Sequence, residues 1–238
     1  MPSVNDKGTV NDLDKKANML TSEKVKEYGL AAGAKAVGIA ASKDFVLAPE
    51  GFKPTDIMEG CVSVIIVGYP IPQEAILGDP EGFIDIRNAT NEKVNEIAKN
   101  VAKQIKADGY KAQTINGIGG KWVDGIQRGH TSLKHAAELA GLGVIGRNIL
   151  LINPEYGSLL WFSAVFTNAE LVPDERVRYD VCSGCNKCVE MCPAKALDDP
   201  ASFKKKECAN TMFKKMNGRW ELVCYQCRKV CPHRFGIR

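Results

Sequence analysis

The chain has 238 residues, 45% of them hydrophobic, with 32 Lys and Arg against 28 Asp and Glu and nine cysteines. That length holds one domain of ordinary size plus a small module. No apolar run approaches a membrane span, and the polar start Met1-Pro2-Ser3-Val4-Asn5-Asp6-Lys7 has no apolar signal core, so no membrane partner is expected and the location is cytoplasmic.

Residues 1 to 18 are polar and without periodicity, and read as a flexible arm. Thr21 or Ser22 caps a helix with Leu20, Val25, Tyr28 and Ala32 at helical spacing, ending between Gly29 and Gly33. A short strand follows over Ala36 to Ala40. Gly51-Phe52-Lys53-Pro54 reads as loop, and Cys61 to Tyr69, rich in β-branched residues, as a fully buried strand. Cys61 reads as a core thiol. Pro70, Pro72, Gly78, Pro80 and Gly82 mark a long connection of the kind that carries binding contacts. The clearest helix runs from Asn91 to Asp108, with Val94, Ile97, Ala98, Val101 and Ile105 on one stripe and Gly109 as its stop; a strand over Tyr110 to Ile115 follows. This alternation of helix and strand points to an α/β domain.

Next come the glycine-rich loop Gly117 to Lys121, Trp122-Val123-Asp124-Gly125 and His130, a candidate proton donor, with a surface or capping role as the alternative. A helix over Ser132 to Ala140 leads into Gly141-Leu142-Gly143-Val144-Ile145-Gly146-Arg147-Asn148, which matches G-x-G-x-x-G by letter. A dinucleotide fingerprint needs a strand before it and a helix after it. Here a helix precedes and an apolar strand, Ile149 to Ile152, follows. The glycines instead let backbone N–H groups approach another bulky ligand, with Arg147 and Asn148 as donors; an ordinary helix-to-strand connection is the alternative. Leu159 to Thr167 reads as a last strand.

Eight of the nine cysteines lie between Cys182 and Cys231. Cys182, Cys185, Cys188, Cys192 and Pro193 form C-x2-C-x2-C-x3-C-P; Cys224, Cys227, Cys231 and Pro232 close a second half, with Cys208 between. This is the spacing of a module holding two 4Fe-4S clusters, in which the cysteine before the proline ligates the other cluster. Cys182, Cys185, Cys188 and Cys231 then share one cluster, and Cys192, Cys208, Cys224 and Cys227 the second. Zinc does not require three consecutive C-x2 steps, and disulfides need an oxidising compartment. From Pro173 onward the chain carries 14 Lys and Arg against 8 Asp and Glu. Cluster charge offsets that excess, which weakens a nucleic-acid reading; Lys204 to Lys206 with Lys214 and Lys215 read as a solvated helix face.

Ala140-Gly-Leu-Gly-Val-Ile-Gly-Arg-Asn148, the turn Asn153-Pro-Glu-Tyr-Gly157, the early Gly-Ile-Ala and Val-Ile-Ile-Val strands and the cysteine pattern with its lone Cys208 together resemble the epoxyqueuosine reductase and reductive dehalogenase group of cobalamin-dependent iron–sulfur enzymes. The resemblance implies a fold of the α/β (α+β) class: a nitroreductase-like cobalamin domain over residues 19–172, followed by a two-cluster ferredoxin-like module over 173–238. It implies a base-off cobalamin beside Gly141, Gly143, Gly146, Arg147, Asn148, Tyr156 and Gly157, and Asp124 as the counterpart of the family's proton-donating aspartate. The chain ends seven residues after Cys231, without the helical-repeat domain common in epoxyqueuosine reductases. A tRNA partner is therefore not expected.

The expectation is a reductase that passes electrons from a low-potential donor such as a ferredoxin or flavodoxin, through two clusters and a corrinoid, to a small-molecule substrate. The alternative is a non-catalytic electron-transfer or corrinoid-activating protein.

Overall fold

The computed structural model describes residues 19–78, 82–123, 125–199, 202–216 and 218–237. The expected arm over residues 1–18, and Pro80 and Asp124, lie outside the described residues. In chain order the elements are α1 (Ser22–Ala31), β1 (Ala36–Ala41), a 3-10 turn (Ser42–Asp44), α2 (Pro54–Ile57), β2 (Ser63–Pro70), α3 (Gln73–Leu77), α4 (Phe83–Ala107) and β3 (Ala112–Ile115). There follow β4 (Lys121–Val123), β5 (Ile126–Arg128), α5 (Leu133–Leu139), β6 (Val144–Ile145), β7 (Leu151–Ile152), β8 (Leu160–Thr167), α6 (Lys187–Glu190), α7 (Lys205–Met212), β9 (Phe213–Met216), β10 (Arg219–Leu222) and α8 (Gln226–Lys229).

The main sheet has the order β1-β2-β8-β3, and every neighbouring pair is antiparallel. β2 is central and covered on both faces, which is why its sequence is a continuous apolar run rather than an alternating one. Ile65 and Val67 face Val94, Ile97, Val101 and Ile105 of α4 together with Val25 of α1. Val64 and Ile66 face Ala136, Ala137 and Ala140, with Phe162 and Phe166 of β8 beside them. Each fully buried isoleucine of these layers contributes about 2 kcal/mol of burial free energy. The fold is mixed α/β as expected, but helix–strand alternation does not give a parallel sheet here. β8 arrives late in the chain and enters between β2 and β3, so no neighbouring pair is joined by a βαβ crossover.

Several elements differ from their expected bounds, two of them for a clear physical reason. α4 begins at Phe83, eight residues before Asn91, because Arg87, Thr90 and Asn91 occupy its buried stripe and hide the period among polar letters. The strand expected over Ile149 to Ile152 shortens to β7, paired with β6 in a tight hairpin. Ile149 takes φ 57, and its N–H donates to the Gly146 carbonyl at 2.9 Å.

The cysteine-bearing segment is fastened to this scaffold at several places. The Asp174 N–H donates to the Ile39 carbonyl (2.8 Å), and the Ile39 N–H returns to Asp174 Oδ2 (2.9 Å). The Tyr179 hydroxyl donates to the Ile152 carbonyl at 2.7 Å. Tyr225 stacks on Phe83 at 4.2 Å, within a third apolar cluster that includes Ile71, Ile76, Leu159 and Leu222. No helix among the described residues is long and apolar enough to cross a membrane.

Candidate metal centres

The turn that carries Cys182, Cys185 and Cys188 is wound by its own backbone. Asp180 Oδ1 accepts the Cys182 N–H at 2.9 Å, the Cys182 carbonyl accepts the Cys185 N–H at 3.1 Å, and Gly184 supplies the positive φ of 66 that the turn requires. Cys231 closes on them from the end of α8. These four thiols, with Asn148, Ile152, Val181, Pro232 and His233, line a small hollow. Backbone N–H groups meet sulfur among the described residues: Arg147 donates to Cys182 Sγ at 3.3 Å and Ala196 to Cys192 Sγ at 3.4 Å.

The other four cysteines form a second group. Burial pushes the Cys208 thiol up, and the nearby Cys192 and Cys224 push it further. Burial raises Cys227 to about 11; the Arg228 cation opposes this, while Cys208, Cys224 and Cys188 add to it. Cys188 belongs to the first group, so the two groups adjoin. Among the described residues no three His, Cys, Asp or Glu side chains converge closely enough for a single metal ion. Thiols standing apart around a hollow, with N–H donors on sulfur and cations alongside, suit a polynuclear anionic cluster, whereas one zinc would draw its four ligands to about 2.3 Å.

Two cations beside the thiols were not anticipated from sequence. Arg228 is 7% exposed, and desolvation lowers its guanidinium to about 10 while Cys227 and Cys231 pull it back up. Lys134 of α5 donates to the Ile149 carbonyl; desolvation and the Arg228 charge lower it to about 8, against Cys227 and Cys208. Arg228 is one of three residues between Cys227 and Cys231, and neither it nor Lys134 carried a sequence signal of burial.

The residues expected beside a corrin are engaged with the chain itself. A Cβ on Gly141 would meet the Glu175 carbonyl at 2.4 Å, one on Gly143 the Ile152 carbonyl at 2.3 Å, and one on Gly157 the His233 carbonyl at 2.2 Å. Gly146 lies against Cys182 Sγ (3.4 Å from its Cβ position). The Arg147 side chain pairs with Asn186, and Asn148 donates to the Cys227 carbonyl at 3.4 Å while accepting the Leu150 N–H at 3.1 Å. Tyr156 packs at the edge of the core that faces α5. These seven residues build the seam between scaffold and cysteines rather than an open shelf, so no chemical step is assigned through a corrin. His130 is exposed, on the segment between β5 and α5.

A model of 4Fe-4S binding domains matches residues 175–198. The epoxyqueuosine reductase of Bacillus cereus is 30% identical over 122 residues, 47% of this chain and 32% of that protein. That of Synechocystis is 27% identical over 213 residues, 83% of this chain and 71% of the relative. The chain thus spans about a third of the length of the Bacillus relative. Among solved structures, an epoxyqueuosine reductase with an epoxyqueuosine-modified tRNA-Tyr stem loop superposes with TM-score 0.62 at 20% identity, covering 96% of this chain and 68% of that one. A reductive dehalogenase described as suggesting a mechanism for B12-dependent dehalogenation gives 0.60 at 21% identity, covering 81% and 27%. At these identities the structures establish the fold. They also overturn the expectation that tRNA is not a partner, since a protein of this fold has been solved holding a tRNA stem loop. Its sequence relatives, its fold and its 4Fe-4S match agree in likening the chain to the epoxyqueuosine reductase and reductive dehalogenase group of iron–sulfur proteins.

Proposed function

We propose that this chain is an iron–sulfur reductase of the epoxyqueuosine type, acting on an RNA-borne epoxide. The observation that carries the reading is that Cys182, Cys185, Cys188 and Cys231 line one hollow, while Cys208 lies near Cys192 and Cys224 and the buried Arg228 stands beside Cys227. In this reading Cys182, Cys185, Cys188 and Cys231 hold one 4Fe-4S cluster, Cys192, Cys208, Cys224 and Cys227 hold the other, and residues 19–172 and 173–238 act as scaffold and electron-delivery module.

Reducing an epoxide to an alkene takes two electrons and two protons and releases water. Two one-electron clusters in contact match that electron demand. Asp124 or His130 holds the proton delivered to the departing oxygen. Cobalamin, suggested by the dehalogenase neighbour, enters the test as an addition and is assigned no step, since the residues expected beside it are engaged with the chain itself.

The test is anaerobic reconstitution with iron and sulfide, then incubation with dithionite and a tRNA stem loop bearing epoxyqueuosine, with and without cobalamin. Conversion of the modified nucleoside, dependent on about eight irons per chain, is the expected result. Full iron with electron transfer to an added protein but no nucleoside conversion would replace this reading with an electron carrier.

A further inference from the structure

The buried guanidinium of Arg228 has no place in the ligand scheme above. It sits next in sequence to Cys227 of one group and three residues before Cys231 of the other, and the thiolates whose charge reaches it are those two. Only 7% of the residue is exposed, and its Nη1 is buried without a hydrogen-bond partner. Lys134 approaches the same place from α5: it donates to the Ile149 carbonyl, and the adjacent Asn148 donates to the Cys227 carbonyl at 3.4 Å, so the charges that reach it include Arg228, Cys227 and Cys208.

Removing a guanidinium from water is costly unless a countercharge and hydrogen-bond acceptors replace the solvent. A cluster ligated by four thiolates supplies both, since it is anionic and its sulfurs accept hydrogen bonds. Net charge and hydrogen bonding around such a cluster set its potential. Each electron that enters adds one negative charge beside the cation, with no bond made or broken, and a fixed positive charge nearby favours that addition.

Resting on the two-cluster reading, we propose that Arg228 is a positioning residue for electrons: a countercharge shared by both clusters that raises both potentials, with Lys134 acting on the cluster of Cys208 and Cys227 alone. One cation between two acceptors keeps their potentials close, so an electron moves between them without a large loss of driving force.

The test is potentiometric titration of the reconstituted chain with dithionite, followed by EPR, alongside iron analysis. R228Q is expected to lower both midpoints by at least 59 mV, a tenfold change in the reduced-to-oxidised ratio. K134M is expected to lower one midpoint and leave the other, and R228K to keep most of the unsubstituted values. Full iron with unmoved midpoints in R228Q overturns the role of Arg228, while failure of the unsubstituted chain to bind iron overturns the two-cluster reading itself. Should R228Q lose its iron, K134M and R228K decide: one shifted midpoint in K134M with R228K near the unsubstituted values supports the proposal, and unmoved midpoints in K134M overturn it.

Discussion

The backbone N–H of Arg147 donates to the sulfur of Cys182 across 3.3 Å, so the glycine-rich turn of the scaffold ends directly on the first thiol of the cysteine run. Gly146, one residue earlier, places its Cβ position 3.4 Å from the same sulfur, ordinary contact for a methyl group and too close for a branched side chain. On the proposed two-cluster reading, Gly146→Ala should keep the full iron content. Gly146→Val should displace Cys182 and lose the first cluster, so that iron falls from about eight to about four per chain. Iron and sulfide analysis of the two variants checks this; equal content in both would detach Gly146 from the cluster.

Gly143 presents a different constraint. Its Cβ position lies 2.3 Å from the Ile152 carbonyl, a backbone atom that cannot rotate away, across the β6–β7 hairpin. Gly143→Ala should cost about 2 kcal/mol, in the range of overpacked cores, and lower the melting temperature by roughly 4–8 °C. Gly60 has φ 73 with nothing within 4 Å of its Cβ position, so Gly60→Asn should change stability by under about 0.5 kcal/mol. Calorimetry on the two variants separates close approach from backbone conformation.

Sequence disclosed what depends on local spacing. The buried strand over Ser63 to Pro70 and the Val94–Ile105 stripe follow from period and interval, and each appears where residue pattern alone can place it. Contacts between distant segments were hidden. Gly141, Gly143 and Gly157 resemble a ligand cradle by letter, yet their space is taken by Glu175, Ile152 and His233, residues up to 76 positions away in the chain. Strand direction was hidden too, because it depends on where β8 inserts.

Arg87 illustrates a polar letter that does apolar work. It is buried in α4, with its guanidinium carbon 5.8 Å from the Trp161 ring and 5.9 Å from the Phe213 ring. The first ring belongs to the main sheet and the second to the β9–β10 hairpin, so this cation joins the hairpin to the scaffold. Arg87→Ala should destabilise the protein by about 2 kcal/mol, the strength of desolvated cation–π contacts, and protease should cut first within residues 202–222. Unchanged cutting there would mean that the Arg219–Asp85 pair and Tyr225 on Phe83 hold the hairpin without Arg87.

Alkaline pH should loosen another attachment. Burial pushes the Tyr179 hydroxyl up to about 12, with the Val144 backbone opposing, and the protonated form donates to the Ile152 carbonyl at 2.7 Å. The folded chain therefore holds this proton more tightly than the unfolded chain. Its contribution is complete below the unfolded value near 10 and is lost as pH rises through the window from about 10 to about 12. Tyr179→Phe should remove about 1 kcal/mol at neutral pH and flatten the alkaline decline. Urea titrations of both proteins across that window check the sign.

Cluster removal is the broadest test of how the two parts depend on each other. Between residues 173 and 199 the only regular element is the single turn α6, and the remaining order comes from turns that aim thiols inward. A segment with so little core draws its folding free energy from ligation, as small metal-bound domains do. The sheet with α1, α4 and α5 has two apolar layers of its own. Chelation under air should therefore expose residues 173–238 to protease while leaving a resistant fragment near residues 19–172, with most of the far-ultraviolet dichroism retained. Simultaneous loss of both regions would show that the seam at Gly143, Gly146 and Gly157 makes the chain one cooperative unit.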